Sequence, residues 1–334
     1  MTVPGQHGSP VGFDQGHASP PLVSVIVPNY NHAAFLEERL ASIRGQNMQD
    51  LELILLDDAS TDGSMAVLEH MKACYPRTAH LVVNERNSGS PFKQWQKGIA
   101  LAKGQWIWIA ESDDRCAPDL LEQLLRFNTE HGGRLGVLYS QSRVIDAMGD
   151  VKGSMSDWTS DLTADPFRTD FTLPGKQFLS DYLKVKNVIP NASAVIFRKT
   201  LLKDPSIWAD LGGLRLLGDW LFWTRLVQLT DVGFICASLN DFREHAGVTR
   251  RHIGAEKKKR RLLEEAVLRN ELARNGAVDQ RTEEAALYRK WADHVRFRAL
   301  LGQDTDQCRI HPRSRPSFIA MILHFKLLRL LGRS

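Results

Sequence analysis

In the first third of the chain the apolar residues fall in short, nearly unbroken runs. These are LVSVIVP (22–28), LELILLDD (51–58), HLVVN (80–84) and QWIWIA (105–110). Runs of this length, rich in branched and aromatic side chains, predict strands buried on both faces. Between them the apolar positions are spaced three and four apart over 33–44, 64–74 and 92–103, which predicts helices entered at Asn31, Asp62 and Ser90. Strand–helix–strand repetition implies an α/β fold whose mostly parallel sheet has right-handed crossovers and helices on both faces. Such sheets bind ligands beyond the carboxyl ends of their strands. The informative residues are therefore Pro28 to Asn31, Asp57 and Asp58, Asn84 to Gly89, and Glu111 to Asp114.

Further along, LYSQSRVIDAMGDV predicts two short strands around an Ala-Met-Gly-Asp turn. Residues 159–175 have the polar composition of a mobile loop, 187–199 predict another strand, and LRLLGDWLFWTRLVQLT predicts an amphipathic helix with Asp219 in its first turn. Beyond residue 250 the pattern is helical over 255–275 and 281–301, and again in the terminal PSFIAMILHFKLLRLLGRS.

The 334 residues, 43% hydrophobic, suffice for one or two domains. Three segments are expected: a Gly-, Pro-, Ser- and His-rich N-terminal tail (1–20), an α/β domain (21–250) and a basic helical extension (251–334). The tail lacks the apolar core of a signal peptide, and no apolar run is long enough to span a bilayer. Four scattered cysteines, with no CxxC pair and no zinc-ligand spacing, fit a reducing cytosol. The net charge of +4 conceals an asymmetry: −6 over residues 1–245 and +10 beyond them. The basic part either meets an anionic partner or is a solvated helical bundle.

No GxGxxG fingerprint follows the first strand, whose turn reads PNYNHAAF, and no GxxxxGK[ST] phosphate loop occurs. The strand ends instead offer Tyr30, whose face can stack on a base, and acids that can accept an imide N–H or hold a hard cation against a diphosphate. Tyr30 read alone is equally a packing residue. Asp113 and Asp114 precede Pro118 and Asp119 and would complement the dipole of a following helix. Capping accounts for one acid, however, and not for three. Lys93, and after it Lys97, is within reach of a phosphate or else lies on a solvated helix face.

VSVIVPNYN, ELILLDDASTDGS, NSGSPFKQWQKGIALAKGQWIWIAESDD and GDWLFWTRL resemble, in that order, the motifs of the family 2 glycosyltransferases, inverting enzymes with the GT-A fold. The resemblance covers about residues 22–245. It implies that Pro28 and Tyr30 line the base pocket, that Asp58 hydrogen-bonds the base, and that Asp113 and Asp114 form the acidic pair for sugar nucleotide and metal, with Asp114 on the cation. It places Asp219 as the general base that takes the acceptor hydroxyl's proton. The family usually has Glu-Asp there, where this chain has Gly218-Asp219. His245, in NDFREHAGVTR, matches a histidine near metal and diphosphate and is otherwise structural.

The function so implied is metal-assisted transfer of a sugar from a nucleoside-diphosphate donor, a UDP-sugar first of all, to a saccharide or lipid-linked acceptor in building a bacterial surface polysaccharide or glycolipid. Mn²⁺ or Mg²⁺ is the expected cofactor, and no nucleic-acid partner is expected. The location would be cytoplasmic, with the basic helix from Pro316 to Gly332 docked on the inner face of the membrane or packed on protein. The rivals are a sugar nucleotidyltransferase, which should carry a Gly- and Arg-rich first turn, and a catalytically silent nucleotide-binding scaffold.

Overall fold

The computed structural model describes residues 19–162, 166–245 and 255–274, together with 287, 320, 323, 324, 326–328, 330 and 331. Most of the N-terminal tail, the expected helix over 281–301 and most of the terminal basic helix lie outside the described residues. No helix among the described residues is long and apolar enough to cross a membrane.

The α/β repeat runs as read. Strands β1 (Val23–Asn29), β2 (Leu51–Asp57), β3 (Thr78–Val83) and β4 (Trp106–Ile109) alternate with helices α1 (Ala33–Arg44), α2 (Ser64–Cys74) and α3 (Pro91–Leu101). β5 (Arg115–Cys116), α4 (Leu120–Glu130), β6 (Leu135–Ile145), β7 (Val151–Ser154), α5 (Ser156–Thr159), β8 (Phe171–Leu173) and α6 (Gly175–Phe178) follow. β9 (Val195–Arg198), α7 (Gly218–Leu226), β10 (Asp231–Arg243) and α8 (Ala255–Arg274) complete the described chain. One sheet takes the order β3-β2-β1-β4-β9-β6-β10-β5, with β7 beside β6 and β8 beside β10.

Strands β3, β2, β1 and β4 run parallel to one another, and β6 runs parallel to β10. β9 is inserted antiparallel between β4 and β6, which makes the sheet mixed. The period-2 alternation of the buried strands feeds two cores. Val23, Val25 and Val27 of β1, with Trp106 and Trp108 of β4, pack with α1, α2 and α4. Ile26, Ile107 and Ile109 pack on the other face with α3 and α7. Because both faces are covered, β1, β2 and β4 are apolar on both faces before their carboxyl ends, apart from a buried pair in which Ser24 donates to Glu52 at 2.6 Å.

Three expectations change. α7 is buried all round, from Trp220 to Leu226, rather than amphipathic; even Arg225 is enclosed, its guanidinium donating to the carbonyls of Ile207 and Ala209. The polar stretch 159–175 contains β8, and its Phe167 and Phe171 join Phe178, Tyr182 and Phe234 in an aromatic cluster. Of 187–199 only Val195–Arg198 is strand. Asn191 closes a 3-10 turn over Ala192–Ala194 by accepting from the Ser193 amide at 2.7 Å.

α3 lies close against the sheet because Gly98 has no side chain: a Cβ there would sit 2.4 Å from Ile26 Cγ2 and 3.1 Å from Leu56 Cδ1. Gly98→Val should therefore destabilise the fold by at least the ~1–3 kcal/mol usual for overpacking. Urea denaturation would show this as a lower midpoint; an unchanged midpoint would mean α3 can lift off the sheet without cost.

Candidate active site

The carboxyl ends of β1, β2 and β4 open into a cleft of about 480 Å³. Pro28, Tyr30, His32, Asp58, Glu111, Asp113, Asp114, Asn191, Arg215 and Asp219 all contribute to its walls. Five of the eight sequence candidates thus share one cavity with Asp219. The two that do not line it are His245, which is bonded to Asp113, and Lys93.

Tyr30 at the end of β1 is 45% exposed, leaving its ring open for stacking. Asp58, beyond β2, is buried and accepts four hydrogen bonds. Its Oδ1 receives Asn84 Nδ2 (2.6 Å), Gln94 Nε2 (2.8 Å) and the Ser88 amide (2.8 Å), and its Oδ2 receives Ser88 Oγ (2.7 Å). Asp58 therefore organises the loop after β3, while Oδ2 retains acceptor capacity for a ligand N–H.

Lys93 departs from expectation. Its ammonium turns back to the Ser88 carbonyl at 3.1 Å, and Lys97 is spent on Asn84. The guanidinium that lines the cleft belongs to Arg215, in the turn before α7. It lies against Gly89, where φ is 73° and a Cβ would meet Arg215 Nη2 at 2.9 Å. The single basic residue in the stretch LGGLRLLGDW, four positions before Asp219, is the signal that marks Arg215 in the sequence.

The acids after β4 separate into three environments. Glu111 accepts Trp95 Nε1 at 2.9 Å; burial, reinforced by Asp113, pushes its pKa up to about 8. Asp113 is also penalised by burial, but the hydrogen bond from His245 and the nearby charges of His32 and His245 hold it below its ordinary value. His245 Nε2 lies 3.1 Å from Asp113 Oδ2, and His32 packs edge-on to His245 with centroids 5.4 Å apart. His32 is itself fixed by Ser112 Oγ at 2.8 Å from Nδ1, and burial lowers its pKa.

Asp114 is 2% exposed. Its Oδ2 accepts Asn191 Nδ2 at 3.1 Å and its Oδ1 accepts the Arg243 amide at 2.9 Å. Burial and then Asp113 push it up to about 6. Among the described residues, His32, Asp113 and His245 each offer a ligand atom, and these atoms all lie within 4.8 Å of one another; Asp114 is outside that group. Two imidazoles and a carboxylate form a donor set able to hold a divalent transition-metal ion. Arg243 fixes the backbone of this corner, donating Nε to the Asp113 carbonyl at 2.7 Å and ion-pairing with Glu38.

Asp219 also lines the cleft, from the first turn of α7, its Oδ2 accepting Asn187 Nδ2 at 2.9 Å. The structure also explains the Gly218-Asp219 departure. A Cβ at Gly218 would lie 2.3 Å from the Phe92 ring, so α3 occupies the space that a glutamate would need.

Residues 24–188 match the family described as Glycosyl transferase family 2. The chain is 36% identical over 103 residues to glycosyltransferase GlyG of Streptococcus pneumoniae, covering 31% of this chain and 34% of that protein. It is 30% identical over 171 residues to the poly(ribitol-phosphate) beta-glucosyltransferase of Bacillus spizizenii, covering 50% and 26%. The match thus spans about a third or less of the length of these two curated relatives. The crystal structure of Staphylococcus aureus TarS 1–349 in complex with UDP-GlcNAc superposes with a TM-score of 0.60 at 17% identity, over 93% of this chain and 92% of that one. That likeness establishes the GT-A fold.

The Glu111 environment gives a pH prediction. Its folded pKa of about 8 exceeds the ordinary 4.5, so folding favours the protonated form. The stability it contributes is complete below pH 4.5 and is lost as pH rises through 8. Without divalent cation, the stability of Glu111→Gln should fall less steeply with pH over this range, by at most ~1.4 kcal/mol per pH unit. Chemical denaturation at pH 5, 6.5 and 8 checks this; parallel slopes for variant and wild type would contradict it.

Proposed function

Because the chain belongs to glycosyltransferase family 2 through its residues 24–188, we propose that it transfers a sugar from a uridine-diphosphate donor to an acceptor hydroxyl with inversion, using Mn²⁺ or Mg²⁺. The observation that carries this reading is the shared cleft: a base-sized aromatic at Tyr30, Arg215 for a diphosphate, His32 and Asp113 with His245 bonded to Asp113, and Asp219 on the same cleft's wall. The S. aureus relative of like fold was solved with UDP-GlcNAc, which supports a uridine donor. The B. spizizenii relative acts on poly(ribitol-phosphate), which supports a polymeric or lipid-linked saccharide acceptor in a bacterial cell envelope.

In this reading Tyr30 and Pro28 receive the base, and Asp58 Oδ2 accepts its imide N–H. Asp113, His245 and His32 would hold the cation, which would supply charge neutralisation for the leaving diphosphate. Arg215 adds a fixed positive charge on the same group. Asn187 sets the rotation of the Asp219 carboxylate. Asp219 takes the proton of the acceptor hydroxyl as the acceptor oxygen bonds to the anomeric carbon. The bond from that carbon to the diphosphate oxygen breaks on the opposite face, and its electron pair leaves with the nucleotide. A single displacement of this kind inverts the anomeric centre.

Two variants separate binding from chemistry. Asp219→Asn should retain UDP binding in the presence of Mn²⁺ and lose transfer by about 10²–10⁴-fold, the usual share of general-base catalysis. Near-normal turnover in that variant would place the base elsewhere. Asp113→Ala should remove the Mn²⁺ dependence of UDP binding measured by calorimetry, and unchanged affinity with Mn²⁺ would contradict the assignment of the cation.

A further inference from the structure

Glu264 lies in α8, beyond the 24–188 stretch that matches the family. It is nevertheless 4% exposed, and its carboxylate accepts three consecutive backbone amides. Arg215 N donates to Oε1 at 2.9 Å, Leu216 N to Oε2 at 2.7 Å and Leu217 N to Oε2 at 2.9 Å. Arg260, one turn earlier on the same helix, adds Nε to Oε1 at 3.1 Å. Hydrogen bonds to an ionised carboxylate are about twice as strong as neutral ones.

The place of these amides gives the contact its meaning. Arg215 is the cleft's guanidinium, and Leu217 is the N-cap of α7, whose first turn carries Asp219. The first amides of a helix lack partners within it, and a polar N-cap side chain normally supplies one. Leu217 offers no such group. Glu264 instead reaches in from another helix, accepts the amide of this N-cap residue and of the two residues before it, and so fixes the backbone that aims both Arg215 and Asp219. α8 is pinned to α7 by further contacts: Glu271 pairs with Arg225 at 3.1 Å, and the Arg269 guanidinium lies 5.7 Å from the Trp220 ring.

We infer that Glu264 is a positioning residue for the transfer reaction, so that α8 completes the active site from outside the stretch that matches the family. The inference rests on the roles proposed above for Arg215 and Asp219. Glu264→Gln keeps the size of the side chain but turns an amide NH₂ toward backbone N–H donors. Misplacing reacting groups by about an ångström costs on the order of 10²-fold, and a kcat loss of that order is expected for Glu264→Gln.

The test uses the full chain, with hydrolysis of UDP-GlcNAc and UDP-glucose followed at saturating Mn²⁺. Glu264→Gln should lower kcat and raise the donor KM, and UDP affinity by calorimetry should weaken with it. Glu264→Asp, which keeps the charge on a shorter arm, should fall between it and wild type, and it carries the test alone if Glu264→Gln does not fold. Glu271→Gln breaks the other α8 contact and should lower the thermal midpoint while leaving kcat and KM within about twofold of wild type. Unchanged kcat and KM in a folded Glu264→Gln or Glu264→Asp, or an equal kcat loss in Glu271→Gln, would overturn the inference and leave the functional reading standing. A wild-type chain that neither binds UDP with Mn²⁺ nor hydrolyses either donor would remove both.

Discussion

Three carboxylates within four residues, at the end of a fully buried strand, form the constraint around which this molecule is arranged. A buried charge left unpaired is prohibitively costly. Each acid after β4 has accordingly drawn a different set of neighbours. Glu111 takes the Trp95 indole N–H, and burial favours its protonated form. Asp113 takes two histidines from distant segments, and Asp114 takes a side-chain amide and a backbone N–H. Meeting these demands brings His32 after β1, Asn191 before β9, and Arg243 and His245 at the end of β10 to one point. The insertion of β9 beside β4 is the topological form of the same solution.

The cleft is therefore polarised. Its acidic corner with two imidazoles faces a guanidinium and a second acid carried by the turn into α7 and by α7 itself. The parallel strands β1, β2 and β4 build the corner, and the helices packed on the opposite core hold the far wall. Asp58 makes the loop 84–90 rigid, and that loop meets the 211–217 turn through Ser90 Oγ, which donates to the Leu214 carbonyl at 3.1 Å. Glu264 secures the same turn from behind. Both walls thus rest on buried carboxylates bound by several donors, an arrangement that fixes geometry more than it adds stability.

Much of this was legible in the sequence, for definite physical reasons. A strand buried on both faces is an unbroken apolar run, so β1, β2 and β4 could be bounded closely, and the residues after them are those of the cleft. Tyr30, Asp58, Asp113 and Asp219 were singled out on that basis or by resemblance, and they share one cavity. What could not be read depends on side-chain direction and distant packing. Nothing local distinguishes the surroundings of Asp113 from those of Asp114, because the donors that bind Asp114 come from Asn191 and Arg243, far along the chain. Lys93 and Arg215 are both cations near a strand end or turn, and only packing, which turns Lys93 to the Ser88 carbonyl and brings Arg215 against Gly89, puts Arg215 on the cleft wall. α7 appears amphipathic because Thr224 and Arg225 interrupt its apolar residues. Their burial depends on α8 and on the carbonyls of Ile207 and Ala209, partners that helical periodicity does not reveal.

The most direct test of this account is the coordination of the cation itself. Pulsed electron paramagnetic resonance of Mn²⁺ bound to the protein with UDP would show nitrogen couplings from imidazole if His245 and His32 are ligands beside Asp113. The predicted result is ¹⁴N modulation that requires both protein and nucleotide and that weakens in a His245→Ala or a His32→Ala variant. A spectrum with oxygen ligands only, unchanged by either substitution, would contradict the site described for Asp113 and its two histidines.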